Sequence, residues 1–336
     1  MQLINRQCRL AARPVGLPQP SDWTFADEAV ADIGDGEFLV AVEYVSIDPA
    51  MRGWMNAARS YIPPVEIGAV MRAAAIGRVE RSNHPDFPVG DHVSGAFGVQ
   101  RYAVSDGRGV TKVDLDLASP AAHLGVLGLS GLTAYFGLLD IGKPRPGQTV
   151  VVSGAAGAVG SIAGQIARVH GCRTIGIAGG KAKCDWLVGD LGFDAAIDYK
   201  TEDVRRRLRD LAPDGVDVFF DNVGGDILDA VLVRLATHAR VVISGAISQY
   251  NATEPVKGPA NYLQLLVARA SMTGFVIFDY AKRYAEGIDK LSEWLGSGDV
   301  RSQEDVVEAT IDDFPDVLLR LFRGENTGKL VLALPR

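Results

Sequence analysis

The chain has 336 residues, of which 47% are hydrophobic and 22% are charged, and its formal net charge is −7. That length exceeds what one hydrophobic core usually organises, so two domains are expected. The acidic balance argues against nucleic acid or an anionic membrane as the main partner. Sparse, irregularly spaced cysteines and the lack of a signal-peptide core favour a reducing compartment, the cytoplasm.

Residues up to about 120 are expected to form short strands separated by turns. The clearest strand covers residues 38–45, and Val70 to Val79 is a second candidate. Residues 84–93 are typical of a turn that leads into another strand. Because helices do not alternate with strands here, the sequence predicts a separate antiparallel domain.

The most apolar stretch, Ala121 to Leu139, raises the question of a membrane span. It contains His123, Ser130, Thr133 and four glycines, and basic residues do not flank one side. We therefore expect a buried helix that links two domains.

A strand, a glycine turn and a helix are predicted next. Thr149 to Val152 are all β-branched, as in a strand buried on both faces of a parallel sheet. Gly154, Gly157 and Gly160 follow, and they let a phosphate approach the backbone at the N-terminus of the next helix. The pattern favours a dinucleotide site over a glycine turn that serves packing alone.

Strands and helices continue to alternate downstream. Five more strands are expected, at residues 173–178, 195–198, 216–221, 240–244 and 271–278. Helices are expected at 181–190, 201–211, 227–236 and 280–295. Six strands with helices between them predict a doubly wound parallel sheet. From about residue 300, short strands are expected to rejoin the first domain.

The end of the second strand of this sheet bears on the choice of nucleotide. NAD-binding sheets usually carry a carboxylate there for the ribose 2′-OH, but residues 175–180 contain none. Lys181 and Lys183 follow at the position that reads the ribose. This favours NADP(H), whose 2′-phosphate a lysine can bind, over lysines that only solvate a helix start.

Six segments taken together carry a resemblance to a known family. The chain resembles the zinc-independent medium-chain dehydrogenases/reductases, specifically the leukotriene B4 12-hydroxydehydrogenase or prostaglandin reductase family, which includes curcumin reductase-like double-bond reductases. The segments are 46–53, 131–135, 155–160, 221–225, 245–251 and 324–329. The chain departs from the family pattern at Gly154 and at Leu129-Ser130, and the second departure bears on substrate fit.

The resemblance implies a Rossmann NADP-binding domain, residues 123–299, and a β-rich GroES-like substrate domain, residues 1–122 and 300–336. It also implies a homodimer. Lys183 and Tyr199 are expected at the 2′-phosphate, Gly157 and Gly160 at the pyrophosphate, and Thr133, Asn222 and Asn326 near the nicotinamide. The remaining implied cofactor contacts are Gly154, Ala156, Ala158, Val159, Gly180, Gly245, Ile247, Ser248, Tyr250, Phe275 and Val276.

The resemblance places Tyr250 near the nicotinamide ribose and the substrate carbonyl, as the catalytic residue. The implied substrate pocket comprises Tyr44, Met51, Arg52, Tyr61, Tyr250 and Phe278. Structural alternatives remain: Tyr250 as a packing residue, Tyr44 in a strand core, Tyr61 as a loop anchor and Arg52 in a structural salt bridge.

The chemistry expected from these residues needs no metal. Cys8, Cys172 and Cys184 and the five histidines show no ligand-pair spacing, which disfavours a zinc site. Reduction of a C=C bond conjugated to a carbonyl fits such a site, because hydride from NADPH reaches the β-carbon and a Tyr250 hydroxyl can stabilise the enolate. The sequence therefore predicts an enone or enal reductase; the alternatives are a quinone reductase or a non-catalytic NADPH-binding protein.

Overall fold

Short strands joined by turns make up the first part of the chain. The computed structural model describes residues 2–335. The first elements are β1 (Ile4–Leu10), β2 (Trp23–Ala29), β3 (Phe38–Ser46), α1 (Ala50–Trp54), β4 (Ala75–Ser82), β5 (His92–Gly95), β6 (Tyr102–Ser105), β7 (Thr111–Lys112) and α2 (Pro120–Leu124).

Strand β3 lies at the centre of this β-rich part. It pairs antiparallel with β4 and with β6, and the sheet continues from β4 through β5 to β7. Strands β1 and β2 form a separate antiparallel pair. Phe38, Val40 and Val45 of β3 are buried together with Met51 of α1, so one hydrophobic core holds these elements.

The second predicted strand, Val70 to Val79, is wrong in its bounds, because β4 begins only at Ala75. The preceding residues follow β1 instead: Met71 N–H donates to the carbonyl of Cys8 at 2.8 Å, and Val70 bridges to Arg9. One mostly apolar stretch therefore pairs with two different strands, which the sequence pattern does not reveal.

Helices and strands alternate in the next part of the chain. Its elements are α3 (Leu129–Phe136), β8 (Thr149–Ser153), α4 (Ala158–Val169), β9 (Arg173–Ala178), α5 (Lys181–Gly189), β10 (Ala195–Asp198), α6 (Val204–Leu211), β11 (Val216–Asp221), α7 (Gly225–Leu232), β12 (Leu235–Ile243), α8 (Gln264–Ala268), β13 (Ser271–Gly274) and α9 (Tyr284–Ser297).

These strands form a parallel sheet in the order β10-β9-β8-β11-β12-β13. The chain starts in the middle with β8, builds outward to β10, and then returns to the other side with β11. The carboxyl ends of β8 and β11 therefore lie side by side where the direction of winding reverses, the place where such sheets bind ligands. The predicted doubly wound sheet beside a β-rich part is confirmed.

Several predicted bounds in this part are wrong. The strand expected at 271–278 ends at Gly274, and the helix expected at 201–211 begins at Val204. Strand β12 begins at Leu235, inside the predicted helix 227–236, because its pairing with β11 contains a bulge near His238, whose φ is 64°. Helix α9 begins at Tyr284, since residues 277–283 form a 3-10 helix that sequence periodicity does not separate from it.

The apolar stretch at Ala121 to Leu139 contains buried helices, as expected. A Cβ on Gly131 of α3 would lie 1.8 Å from the carbonyl oxygen of Val126, so no larger residue fits this position without a backbone shift. Among residues 2–335, no helix is long and apolar enough to cross a membrane.

The last part contains β14 (Glu304–Glu308), α10 (Phe314–Arg323) and β15 (Lys329–Ala333). Strand β15 pairs with β3 and with β14, so these residues extend the sheet of the β-rich part. The sequence expectation of strands alone is wrong, because α10 buries Phe314, Val317, Leu318 and Leu321 at helical spacing.

The structure divides into two units, one comprising residues 2–124 and 304–335 and the other Gly125–Gln303. These limits lie a few residues from the boundaries expected at 122/123 and 299/300. The assignment of one unit to substrate and the other to cofactor stays a prediction.

Candidate active site

The glycine turn after β8 is compact because its backbone contacts itself. Gly154 has a φ of 56°, and its carbonyl accepts the N–H of Gly157 at 3.0 Å. A Cβ on Gly160 would lie 2.3 Å from the same carbonyl oxygen. Helix α4 then starts at Ala158 without a side-chain cap, so its first N–H groups and positive dipole end suit a phosphate.

A second glycine turn follows β9 and gathers the residues expected at a 2′-phosphate. Gly180 has a φ of 98° and precedes α5, whose first turn carries the half-buried Lys183. The phenol oxygen of Tyr199 lies 3.0 Å from where a Cβ of Gly179 would be. Tyr199, which follows β10, therefore contacts the glycine pair from which the helix that carries Lys183 begins.

A carboxylate at this turn binds the backbone of the glycine pair. Asp198, the last residue of β10, accepts the N–H of Gly180 at 2.8 Å. This bond, together with further donors in the following turn, holds the pKa of Asp198 below its usual range. The acid is therefore engaged with the backbone of the glycine pair.

Asn222 directly follows β11, the strand that pairs with β8, and it contacts both the end of β8 and the loop after β12. Its amide nitrogen donates to the carbonyl of Ser153 at 2.8 Å. Its own carbonyl accepts the N–H of Ile247 at 3.2 Å, and the next carbonyl, of Val223, accepts the hydroxyl of Ser248 at 2.6 Å. The loop after β12 is thereby attached to the loop after β11.

Tyr250 ends this second loop, and its phenol folds back toward the strand end. The phenol oxygen accepts the N–H of Ala246 at 3.2 Å. It also lies 3.1 Å from where a Cβ of Gly245 would be. The structure therefore groups Tyr250, Gly245, Ile247, Ser248 and Asn222 at one edge of the sheet.

The other expected contacts of this unit lie on separate elements. The hydroxyl of Thr133 donates to the carbonyl four residues earlier in α3, at 2.6 Å. The Phe275 ring fills the space above Gly137, where a Cβ would lie 2.4 Å from it. Val276 precedes the 3-10 helix, and Phe278 is 41% exposed within it. Their roles stay predictions.

Two of the residues expected in the substrate pocket are buried in the other unit. Met51 is fully buried in its core. The Arg52 guanidinium donates to the carbonyls of Gly16 at 2.9 Å and Pro14 at 3.0 Å, and to the amide oxygen of Asn56 at 2.6 Å. Burial lowers the pKa of Arg52. These contacts give both residues a structural role, and their pocket role stays a prediction.

The remaining expected residues of this unit also have local partners. Tyr44 is half-buried against a small apolar cluster. Tyr61 is 55% exposed, and its phenol oxygen accepts the indole N–H of Trp54 at 3.4 Å. The buried Asn326 amide donates to the carbonyl of Gly328 at 2.9 Å. Contact with cofactor or substrate stays a prediction for all three.

Sequence reasoning missed one polar pair at the centre of the site. Ser153 and Asp221 are buried, and the serine hydroxyl donates to the aspartate carboxylate at 2.6 Å. Each is the last residue of its strand, so the parallel pairing of β8 with β11 puts them side by side. The signal available in the sequence was a polar residue ending each of two predicted neighbouring strands.

Metal-ligating side chains are scattered through the part of the chain that the structure describes. Residues 2–335 contain no group of three or more His, Cys, Asp or Glu side chains that could hold a metal ion. All three cysteines are free. Burial raises the pKa of the Cys172 and Cys184 thiols to about 11, and it raises the pKa of Cys8 further.

Known proteins resemble the chain over nearly its whole length. Two family models match, one described as the N-terminal domain of oxidoreductase at residues 6–113 and one as zinc-binding dehydrogenase at residues 158–293. The NADPH-dependent curcumin reductase of Escherichia coli is 41% identical, covering 98% of this chain and 96% of that protein. The 2-alkenal reductase (NADP(+)-dependent) of Nicotiana tabacum is 35% identical over 100% of this chain and 99% of that protein. CurA from Vibrio vulnificus, solved in complex with NADPH, is 43% identical with a TM-score of 0.93, covering 98% and 99%.

The contacts of Arg52 predict a loss of stability when it is replaced. Arg52→Ala leaves two buried carbonyls and the Asn56 amide oxygen without their donor, so the free energy of unfolding should fall by about 2–4 kcal/mol. Urea unfolding measures this, with the exposed Arg59→Ala as a matched control that should change little. Unchanged stability would contradict the structural role of Arg52.

Proposed function

Since this chain belongs to the zinc-independent medium-chain dehydrogenase/reductase family, we propose that it is an NADPH-dependent reductase of α,β-unsaturated ketones and aldehydes. The observation that carries this proposal is the near full-length similarity to a 2-alkenal reductase and to a curcumin reductase, both NADP-dependent. The grouping of Tyr250 with Asn222 at the carboxyl edge of the sheet supports it.

Two glycine turns supply a fitting cradle for NADP(H). The N-terminus of α4 would hold the pyrophosphate over Gly157 and Gly160, where side chains are absent. Lys183 and Tyr199 would hold the 2′-phosphate beside Gly180. Asn222 would lie near the nicotinamide, because it directly follows β11, the strand next to the one that leads into the glycine turn.

Tyr250 is proposed as the group that stabilises the charge of the reaction. Bound NADPH supplies the hydride that adds to the β-carbon, so negative charge develops on the substrate carbonyl oxygen. The Tyr250 hydroxyl would donate a hydrogen bond to that oxygen and stabilise the enolate as it forms. The Ala246 N–H, which donates to the same phenol, orients the ring and polarises its O–H group.

The residues give no indication of zinc chemistry, although one matching family model is described as a zinc-binding dehydrogenase. Catalytic zinc needs three protein ligands in one place. Residues 2–335 contain no group of three or more His, Cys, Asp or Glu side chains that could hold one. We propose that the reduction relies on the hydrogen bond from Tyr250 rather than on a Lewis acid.

The proposed activity is tested by following NADPH absorbance with a simple enone, an enal and a benzoquinone, and NADP+ reduction with a secondary alcohol. Turnover of the enone and enal is expected, with little activity on the alcohol. Tyr250→Phe should lower kcat about a hundredfold through loss of the charge-stabilising donor. Tyr102→Phe, in strand β6, is the matched control.

Other outcomes of that assay have definite meanings. Turnover of the quinone alone would replace the proposal with a quinone reductase. NADPH binding without turnover of any substrate would indicate a non-catalytic binding protein. Unchanged kcat in Tyr250→Phe would contradict the role of Tyr250.

The proposed preference for NADPH is tested at Lys183. Lys183→Ala should weaken NADPH binding by about 1.5–3 kcal/mol and leave NADH binding nearly unchanged, because one charge-assisted contact to the 2′-phosphate is lost. Lys181→Ala is the control, since its ammonium pairs with Asp185 at 2.6 Å. Fluorescence titration that shows equal weakening of both cofactors would contradict the assignment.

We also propose that the chain forms a homodimer in the cytoplasm. Strand β13 ends the parallel sheet and all four of its residues are exposed, so its free edge can pair with the same strand of a second copy. Leu263, Leu266 and Val267 nearby are 58%, 76% and 66% exposed, a large apolar surface for a single chain. The free thiols suit a reducing compartment.

Light scattering after size-exclusion chromatography tests the dimer. The expected mass is twice that of the chain, and Leu266→Glu should shift it to the monomer by placing a charge in the apolar surface. A monomeric native protein at micromolar concentration would contradict the proposal. Recovery of the native protein outside the cytosolic fraction would contradict the compartment.

A further inference from the structure

Asp221 is a buried carboxylate that the proposed chemistry does not use. It is fully buried at the end of β11. Its oxygens accept the hydroxyl of Ser153 at 2.6 Å and the backbone N–H groups of Val223 at 3.0 Å and Gly224 at 3.1 Å. These donors are neutral, and burying a charge costs free energy that several such bonds must offset. A residue that served packing alone could be apolar here.

Ser153 connects this carboxylate to Asn222. The serine hydroxyl donates to Asp221 and at the same time accepts the backbone N–H of Asn222 at 2.9 Å. The Asn222 side chain donates to the Ser153 carbonyl at 2.8 Å. Asn222 is therefore held at both its backbone and its side chain by one serine on the adjacent strand.

The loop that carries Tyr250 is attached to this arrangement. The backbone carbonyl of Asp221 accepts the N–H groups of Ser244 at 2.8 Å and Gly245 at 3.2 Å. The carbonyl of Asn222 accepts the N–H of Ile247 at 3.2 Å. Residues 244–247 are thus fixed to residues 221–222 by backbone hydrogen bonds.

The last link runs from this loop to the phenol. Ser248 donates its backbone N–H at 3.2 Å and its hydroxyl at 2.6 Å to the carbonyl of Val223. The phenol of Tyr250 accepts the N–H of Ala246 within the same loop. The position of the Tyr250 hydroxyl therefore depends on the backbone of residues 221–223, which the Asp221 carboxylate holds.

We propose that Asp221 and Ser153 are positioning residues, which set the Tyr250 hydroxyl and the Asn222 side chain for C=C reduction without touching the reacting atoms. This inference rests on the proposed function. A donor that stabilises a developing charge must be held within a fraction of an ångström, so loss of the carboxylate–hydroxyl bond should reduce the benefit of Tyr250.

A double-mutant cycle between Ser153→Ala and Tyr250→Phe measures this coupling. Ser153→Ala should lower kcat for an enone about tenfold in the wild-type background but less than twofold when Tyr250 is already phenylalanine. The matched control is Thr174→Val. It removes a buried hydroxyl at the amino-terminal end of strand β9, away from the site, that donates to the Asp194 carboxylate at 3.3 Å. Its effect should be small and additive.

Hydrogen exchange gives a readout that needs neither substrate nor turnover. Ser153→Ala should accelerate amide exchange in residues 244–250 at least about tenfold, whereas Thr174→Val should leave that segment unchanged. Ser248→Ala, at an exposed position, removes one attachment of the loop and is a second variant if Ser153→Ala does not fold. Its effect on kcat should also be smaller in the Tyr250→Phe background than in the wild type, with a smaller difference than for Ser153→Ala.

Three results would overturn the inference. Equal losses of kcat from Ser153→Ala in both backgrounds would assign the pair a purely structural role. Unchanged amide exchange in residues 244–250 would show that this loop does not depend on the hydrogen bond between Ser153 and Asp221. Wild-type protein that reduces no enone would overturn the proposed function as well, and the absence of turnover distinguishes that failure from the other two.

Discussion

The candidate site depends on the parallel pairing of β8 with β11, which ends both strands at the same edge of the sheet. The pairing places the Ser153 hydroxyl 2.6 Å from the Asp221 carboxylate, and the N–H groups of Asn222 and Val223, in the loop after β11, donate to that pair. The glycine turn lies on one side of this junction and Tyr250 on the other. The proposed phosphate site and the proposed charge-stabilising phenol thus lie on neighbouring strand ends that one buried polar contact joins.

Most of the parallel sheet could be predicted because its signals are local. A β-branched run such as 149–152 identifies a buried strand, and Gly171, with a φ of 71°, marks the end of the helix after the glycine turn. The bulge near His238 and the two partners of residues 70–79 could not be predicted, since both depend on pairing with distant strands. Helix α10 has apolar residues at helical spacing, but it lies between two short strands, and the whole segment was interpreted as strands.

The first glycine turn was predicted from its glycine spacing between a strand and a helix, whereas the loop that carries Tyr250 was expected from the family resemblance of residues 245–251. The sequence assigned Asp221 no role, since a carboxylate at a strand end has many uses until its partners are known. Arg52 shows the converse: its charge suggested a substrate contact or an ion pair, and the structure gives it backbone carbonyls and an amide oxygen instead. Partner identity is the part of a site that a single sequence does not contain.

The proposed reaction delivers the hydride to the β-carbon of the substrate. Reduction of an enone with NADPH deuterated at the transferred position, followed by NMR of the product, shows directly which carbon receives the hydride. We expect a saturated ketone with deuterium on the β-carbon, because the proposed conjugate addition delivers the hydride there and places the developing charge on the enolate oxygen, where the proposed Tyr250 hydrogen bond would stabilise it. Deuterium on the carbonyl carbon of an allylic alcohol would contradict it.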